Sequence, residues 1–284
     1  MTTVIEARGL RKTFGIGAEA RPVLRDTSLS VERGEFVCIV GAMGCGKSTL
    51  LGMLAGLVRP DEGTVSIRGV EVTGIVDRAA FVFQNYSLLP WFTALENVRL
   101  AVDAAFPDST REQQVARARD ALGKVGLANA VNRRPRQLSG GMRQRVAIAR
   151  AVATEPRVLF LDDPFGALDA LTRETLQQEL AGLGSQTNQR VTTVMITNNV
   201  EEAILLSDRI VPILPGPPAT LGVSIPVDLP RPRTVAQLAH DELATHVRAH
   251  VVATLTASPG RLRKLATEPA TASRVLPAVA KEMR

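Results

Sequence analysis

Three short stretches of this chain carry residues whose types and spacing suit chemistry on phosphate. Gly41-Ala42-Met43-Gly44-Cys45-Gly46-Lys47-Ser48-Thr49 fits G-x-x-x-x-G-K-[ST], with a buried-strand run before it and an apolar helical run after it. In such a loop the glycines let backbone N–H groups converge on phosphate oxygens, and the N-terminus of the following helix adds partial positive charge. Lys47 is then placed for the outer phosphates of a nucleotide, and the Ser48 hydroxyl for Mg2+. The second stretch, 158–162, is an apolar run closed by Asp162, a carboxylate placed to hold Mg2+ beside a phosphate loop. Aspartate after a strand also starts turns and caps helices, so Asp162 acquires this role only in the company of residues 41–49. The third stretch is Leu138-Ser139-Gly140-Gly141-Met142-Arg143-Gln144-Arg145, a serine cap with two glycines that free a helix's first N–H groups for an anion.

A scaffold must hold these residues, and the pattern of apolar runs supplies one. FVCIVG (36–41), AAFVFQ (79–84), VLFLDDP (158–164), VTTVMIT (191–197) and DRIVPIL (208–214) read as short strands, and 59–69 reads as turn, strand, turn. From about 93 to 154 the pattern is almost wholly helical. Strand–helix alternation with one long helical block predicts an α/β core carrying a helical subdomain. After Pro215 the run GPPATLGVSIPVDLPRPR is too proline-rich for a central strand. The last fifty residues read as helical and then loose, an appendage and not an independent domain. His246 and His250 stand four apart there, a spacing that can bind metal, with His240 turned away from them. Flanks of an amphipathic helix with Val235, Leu243, Val247, Val251 and Leu255 on its apolar side are the better reading.

Composition narrows the setting. The chain has 284 residues, 45% hydrophobic and 22% charged, which excludes a disordered or collagen-like chain and allows a core without covalent staples. No apolar run reaches the length of a membrane span, and the first residues lack a signal-peptide pattern. The expectation is a soluble chain that stays in the compartment where it is made. Cys38 and Cys45 give no disulfide framework and suit a reducing cytoplasm. The net charge of +6 raises nucleic acid as a partner, but 4% aromatic residues leave little for bases to stack on, and none is expected.

With two helix-N-terminus phosphate clamps in one chain, the sequence resembles the nucleotide-binding subunit of an ATP-binding cassette (ABC) transporter, LSGGMRQR being similar to that family's signature. The resemblance spans residues 4–233. It implies a P-loop NTPase fold with a mixed sheet core, an antiparallel β subdomain and a helical signature subdomain, residues 1–233 forming the cassette and 234–284 a helical tail. It further implies that Phe14 stacks on adenine, that Gln84 senses Mg2+ and the attacking water, and that Asp169 belongs to the loop communicating across a dimer. In such dimers ATP is sandwiched between residues 41–49 of one subunit and Ser139, Gly140 and Gly141 of the other, with ATP and Mg2+ as cofactors. The implied partners are integral membrane permease subunits, a second ATPase subunit, identical or not, and indirectly a substrate-binding protein. The implied place is peripheral, on the cytoplasmic face of the cell membrane. Residues 85–98, DDPFGALDALTR (162–173) and 214–233 are similar to the ATPases of nitrate, sulfonate, taurine and bicarbonate importers, with GPPATLG and LPRPR leaning to the nitrate type.

Two positions depart from the family pattern. Asp163 stands where the family has the glutamate that polarises the attacking water, one methylene shorter. Asn198 stands where it has a histidine contacting the γ-phosphate; an amide donates one hydrogen bond but neither carries charge nor shuttles a proton. Both departures concern hydrolysis while loop, carboxylate and signature remain, so the reading is an ATP-driven anion importer subunit with weakened turnover. Two rivals stay open: an ATP-binding regulatory subunit with little hydrolysis, and a soluble ABC ATPase outside transport. Cys45, at a helix N-terminus, is expected to favour its thiolate.

Overall fold

In the computed structural model, residues 2–166, 168–183, 191–214 and 216–257 are described; the last part of the expected tail, 258–284, lies outside them. The chain opens with two long strands, β1 (Thr3–Phe14) and β2 (Arg21–Glu32), then β3 (Phe36–Val40) and α1 (Lys47–Leu54). β4 (Glu62–Ile67), β5 (Val70–Glu71) and β6 (Ala79–Val82) follow. β2, β1, β4 and β5 make an antiparallel sheet in that order. The β1–β2 register shifts at several points, so the apolar positions do not alternate cleanly. That is why the period of two singles out only 59–69 from this sheet.

The helical block consists of α2 (Ala94–Ala105), α3 (Arg111–Lys124) and α4 (Gly140–Val152). Thr93 with Glu96, and Thr110 with Gln113, close capping boxes on the first two, and the Ser139 hydroxyl accepts from Met142 N–H on the third. Beyond it come β7 (Val158–Asp162), α5 (Ala170–Leu183), β8 (Thr192–Thr197), α6 (Val200–Leu206) and β9 (Arg209–Leu214). The second sheet has the order β10-β9-β3-β8-β7-β6, where β10 is Thr220–Leu221; β11 (Ile225–Pro226) also pairs with β9. From β9 to β6 the strands are parallel.

Both faces of this parallel sheet are covered, which explains its unbroken apolar runs. Val37 and Ile39 face α1 and the antiparallel sheet, packing with Leu50, Leu54, Ile5 and Leu10. Cys38 and Val40 face the other way, into a core shared with α2, α4 and α6. Burial of these side chains, each worth about 1.5–3 kcal/mol, is what holds the strand ends in place.

The segment after Pro215 supplies only the edge strands β10 and β11, as its prolines require. It is tied down by its arginines. Arg231 pairs with Asp208 at 2.9 Å, and the buried Arg233 donates to the carbonyls of Ile204, Ser207, Val227 and Leu229. Burial lowers the Arg233 pKa to about 10, so it stays charged at neutral pH. The tail then forms α7 (Val235–His240) and α8 (Glu242–Thr256). Asp241 caps α8 and breaks the expected single stripe: Val247 and Val251 are buried, whereas Val235 and Leu243 are exposed. His240, His246 and His250 are exposed, and no group of three or more His, Cys, Asp or Glu is arranged around a common point among the described residues. No helix among them is long and apolar enough to cross a membrane.

Arg233→Met would leave these carbonyls without their donor. It is expected to lower unfolding free energy by about 2–4 kcal/mol with an unchanged denaturant slope, measured by urea titration.

Candidate nucleotide-binding site

The sheet order gathers two of the three phosphate-directed stretches, 41–49 and 158–162, though the chain visits them far apart. β3 leads into residues 41–49, and its neighbour β8 leads into Asn198. The next strand, β7, ends in Asp162 and leads into Asp163, and β6 beyond it leads into Gln84. The pairing of Val40 with Thr197 and of Asp162 with Ile196 sets these four loops side by side at the carboxyl ends of parallel strands. Ligands of open α/β sheets bind at such ends.

Gly46 caps α1 with φ of 97°, a left-handed turn that aims the first amides of α1 outward, and a Cβ there would meet Val23 at 2.8 Å. Lys47 Nζ curls back to donate to the carbonyls of Gly41 and Ala42, at 2.8 Å each. Ser48 Oγ donates to Asp162 Oδ1 at 3.1 Å. A hydroxyl and a carboxylate this close, beside a ring of amides, fit a divalent cation shared with a phosphate.

Asp163 has φ of 44°, and its N–H donates to Ile196 O at 3.0 Å, locking it to the central strand. Gln84 Nε2 donates to Asp163 Oδ2 at 3.2 Å, whereas Oδ1 is buried without a hydrogen-bond partner. Gly166 makes room for this side chain: a Cβ there would lie 2.3 Å from Oδ2. Burial pushes both Asp162 and Asp163 above the usual carboxylate range, opposed by the Lys47 charge and by hydrogen bonds from Ser48 and Gln84 respectively.

Asn198 is exposed just beyond β8, while Asn199 caps α6 by accepting from Glu201 N–H at 2.9 Å. The remaining expected residues lie apart from this cluster. Ser139, Gly140 and Gly141 open α4 in the helical block, and the Ser139 hydroxyl is engaged in capping that helix. Phe14 ends β1, 46% exposed, with Lys12 Nζ 5.4 Å from its ring centroid. Asp169 is exposed and accepts from Thr172 N–H at 3.0 Å. Cys45 differs from expectation: desolvation raises its thiol pKa and outweighs the opposing pull of Lys47 and the loop amides.

The segment after Gln84 is held by residues that no sequence motif marks. Arg150 of α4 donates to the carbonyls of Tyr86 and Ser87, at 2.8 and 2.6 Å. Arg143 lies over the Tyr86 ring, 5.6 Å from its centroid. The buried Asn97 donates to the carbonyls of Leu89, Phe92 and Thr93 and accepts from Leu89 N–H. Polar residues on an amphipathic helix look like surface in sequence, so the only available signal was their position beside the motifs.

A glycine phosphate loop on a doubly covered parallel sheet, with an antiparallel sheet on one side and a helical block bearing a second glycine cap, defines an ATP-binding cassette. The pattern of the ABC transporter family matches residues 24–166, and the chain belongs to that family. It is 43% identical over 253 residues to the bicarbonate transport ATP-binding protein CmpC of Synechococcus elongatus, covering 89% of this chain but 38% of that protein. The chain thus spans under half the length of that relative. It is likewise 43% identical over 253 residues to the nitrate transport protein NasD of Klebsiella oxytoca, covering 89% of this chain and 96% of NasD. A solved dimeric ATP-binding cassette in a post-hydrolysis state, bound to ADP and Pi, superposes with a TM-score of 0.71 at 33% identity, covering 79% of this chain and 99% of that one.

Arg150→Leu is expected to speed hydrogen–deuterium exchange of amides 85–92 by at least ~10-fold while leaving those of β3 and β8 unchanged, since two carbonyl anchors are lost.

Proposed function

We propose that this chain is the ATP-binding subunit of an importer for a small oxyanion of the nitrate or bicarbonate kind. The carrying observation is the convergence of residues 41–49, Gln84, Asp162–Asp163 and Asn198 at four adjacent strand ends. The relatives named for nitrate and bicarbonate transport support the cargo. Residues 1–233 serve as the cassette and 234–284 as its tail, and Phe14 serves as the adenine platform. Amides of 41–49 and the α1 N-terminus take the phosphates. Lys47 exchanges the carbonyls of Gly41 and Ala42 for the outer phosphates. Ser48, Asp162 and Gln84 are the groups that would hold Mg2+, which would neutralise phosphate charge there.

The partner for the other half of the sandwich is a second cassette subunit, identical or not, offering Ser139–Gly141 to the γ-phosphate. The dimeric cassette bound to ADP and Pi supports that arrangement. Integral membrane permease subunits receive the motion through the surface between Gln84 and Asn97, and a substrate-binding protein delivers cargo to them. The subunit works at the cytoplasmic face of the membrane, as a peripheral component.

Within this reading turnover is slow. Asp163 is the general base; Gln84 holds its Oδ2, and its buried, unpartnered Oδ1 is an acceptor that an attacking water would satisfy on reaching the site. Its side chain is one methylene short, and a displacement of ~1 Å can cost about 10²-fold. Asn198 offers the γ-phosphate a hydrogen bond without charge. Both departures equally favour a regulatory subunit that binds ATP and rarely hydrolyses it.

Asp163→Glu together with Asn198→His separates these outcomes. The double variant, assayed with its natural partner, is expected to raise ATP turnover at least ~10-fold, with ATP affinity nearly constant. Turnover that the double variant cannot improve would sink the weakened-site reading. The acid limb of turnover offers a second check. Burial raises the Asp163 pKa, so the base is protonated, and activity lost, at a higher pH than an ordinary carboxylate would show. Asp163→Asn is expected to abolish activity across that range in a pH–rate series.

A further inference from the structure

One buried carboxyl group beside the site has no part in the chemistry above. Glu202 sits in the first turn of α6, with its side chain 4% exposed. Its Oε2 accepts the Thr197 hydroxyl at 2.7 Å, and Thr197 Oγ1 in turn accepts the Asn199 N–H at 3.1 Å. The two residues flanking Asn198 are therefore tied, one through the other, to this carboxyl group.

Across from it stands Arg173 of α5. Its Nε lies 3.7 Å from Glu202 Oε1, an ion pair longer than a hydrogen bond, and this buried Nε has no hydrogen-bond acceptor. Nη2 of the same guanidinium donates to Leu168 O at 2.9 Å, next to Asp169. The Arg173 charge also acts on Asp163, and the Asp163 charge on Glu202. One arginine thus faces two carboxyl groups while gripping the turn that joins β7 to α5.

A buried ion pair contributes little net stability compared with well-packed apolar residues of the same volume. What this one does is connect two loops that carry functional groups. We propose that Glu202 and Arg173 are a positioning pair that fixes the Thr197–Asn199 turn against the loop of Asp163 and Asp169, so that Asn198 and Asp163 meet the terminal phosphate of bound ATP in register. The inference rests on the reading of this site as an ATP site. The 3.7 Å separation leaves the pair room to tighten when nucleotide draws the two loops together.

Glu202→Gln tests the pair, because the amide keeps the shape and can still accept from Thr197 but loses the charge facing Arg173. Full-length protein with its natural partner is assayed in two backgrounds, native and Asp163→Glu/Asn198→His, reading kcat in whichever turns over faster. The expected result is a kcat at least ~10-fold lower, with ATP KM and binding of a fluorescent ATP analogue within error of the parent and a melting temperature still above the assay temperature. Glu202→Gln combined with Arg173→Gln should be no worse than either alone, as members of one unit are non-additive. If Glu202→Gln folds poorly, Arg173→Lys and Arg173→Met take its place, Lys retaining most of the turnover and Met losing it. Unchanged kcat on removing either charge, or equal loss in the Lys and Met variants, overturns the pair while leaving the site reading intact. Absence of ATP binding by the native protein overturns the site reading, and the pair with it.

Discussion

The carboxyl-terminal edge of the parallel sheet collects negative charge where water is scarce, and the surrounding architecture answers that constraint. Asp162, Asp163 and Glu202 are all pushed upward in pKa by burial. Lys47 and Arg173 oppose the shift from the phosphate loop and from α5. Such a site is comfortable only when more positive charge arrives, or when a carboxyl group takes up a proton. The folded chain therefore holds a local electrostatic deficit that a cation accompanying a nucleotide would relieve.

How much of this was legible in the sequence depends on whether a residue's role is local. The strands β3, β7, β8 and β9 stand out because both faces are buried, which leaves unbroken apolar runs such as 36–40. The loop at 41–49 and the cap at Ser139 are legible because glycine and serine there answer to backbone geometry within a few residues. β1 and β2 were hidden by register shifts. Arg150 and Arg233 were hidden for another reason: each holds a segment distant in sequence, and nothing nearby in the chain marks it. Asn97 and Glu202 were hidden because a polar side chain turned inward onto a turn a few residues away reads as surface in sequence. The expected Cys45 thiolate failed because a helix N-terminus was weighed without the desolvation that the packed loop imposes. The single tail helix departs from expectation because Asp241 caps α8 and divides it from α7.

The helical block is not a passive neighbour of the site. Helix α4 begins with the Ser139 cap and, through Arg143 and Arg150, also holds the residues just after Gln84. The same rigid element thus joins the signature turn, which faces another subunit in the dimeric reading, to the side chain that touches Asp163. Through these two arginines the residues just after Gln84 are tied to the helix whose first turn carries the Ser139 cap.

The place of β8 also sets the order in which this protein can be assembled. β8 pairs with β3 on one side and β7 on the other, yet it is made later than both. Roughly 150 residues of chain separate the end of β3 from the end of β8, or about 8–30 s of synthesis at typical elongation speeds. Throughout that interval β3 lacks its β8 partner, and β7 joins it in that state for about the last 35 residues. The nascent chain is then a natural client for chaperones, and a stall or truncation before residue 197 would leave an aggregation-prone fragment in place of a partly working enzyme.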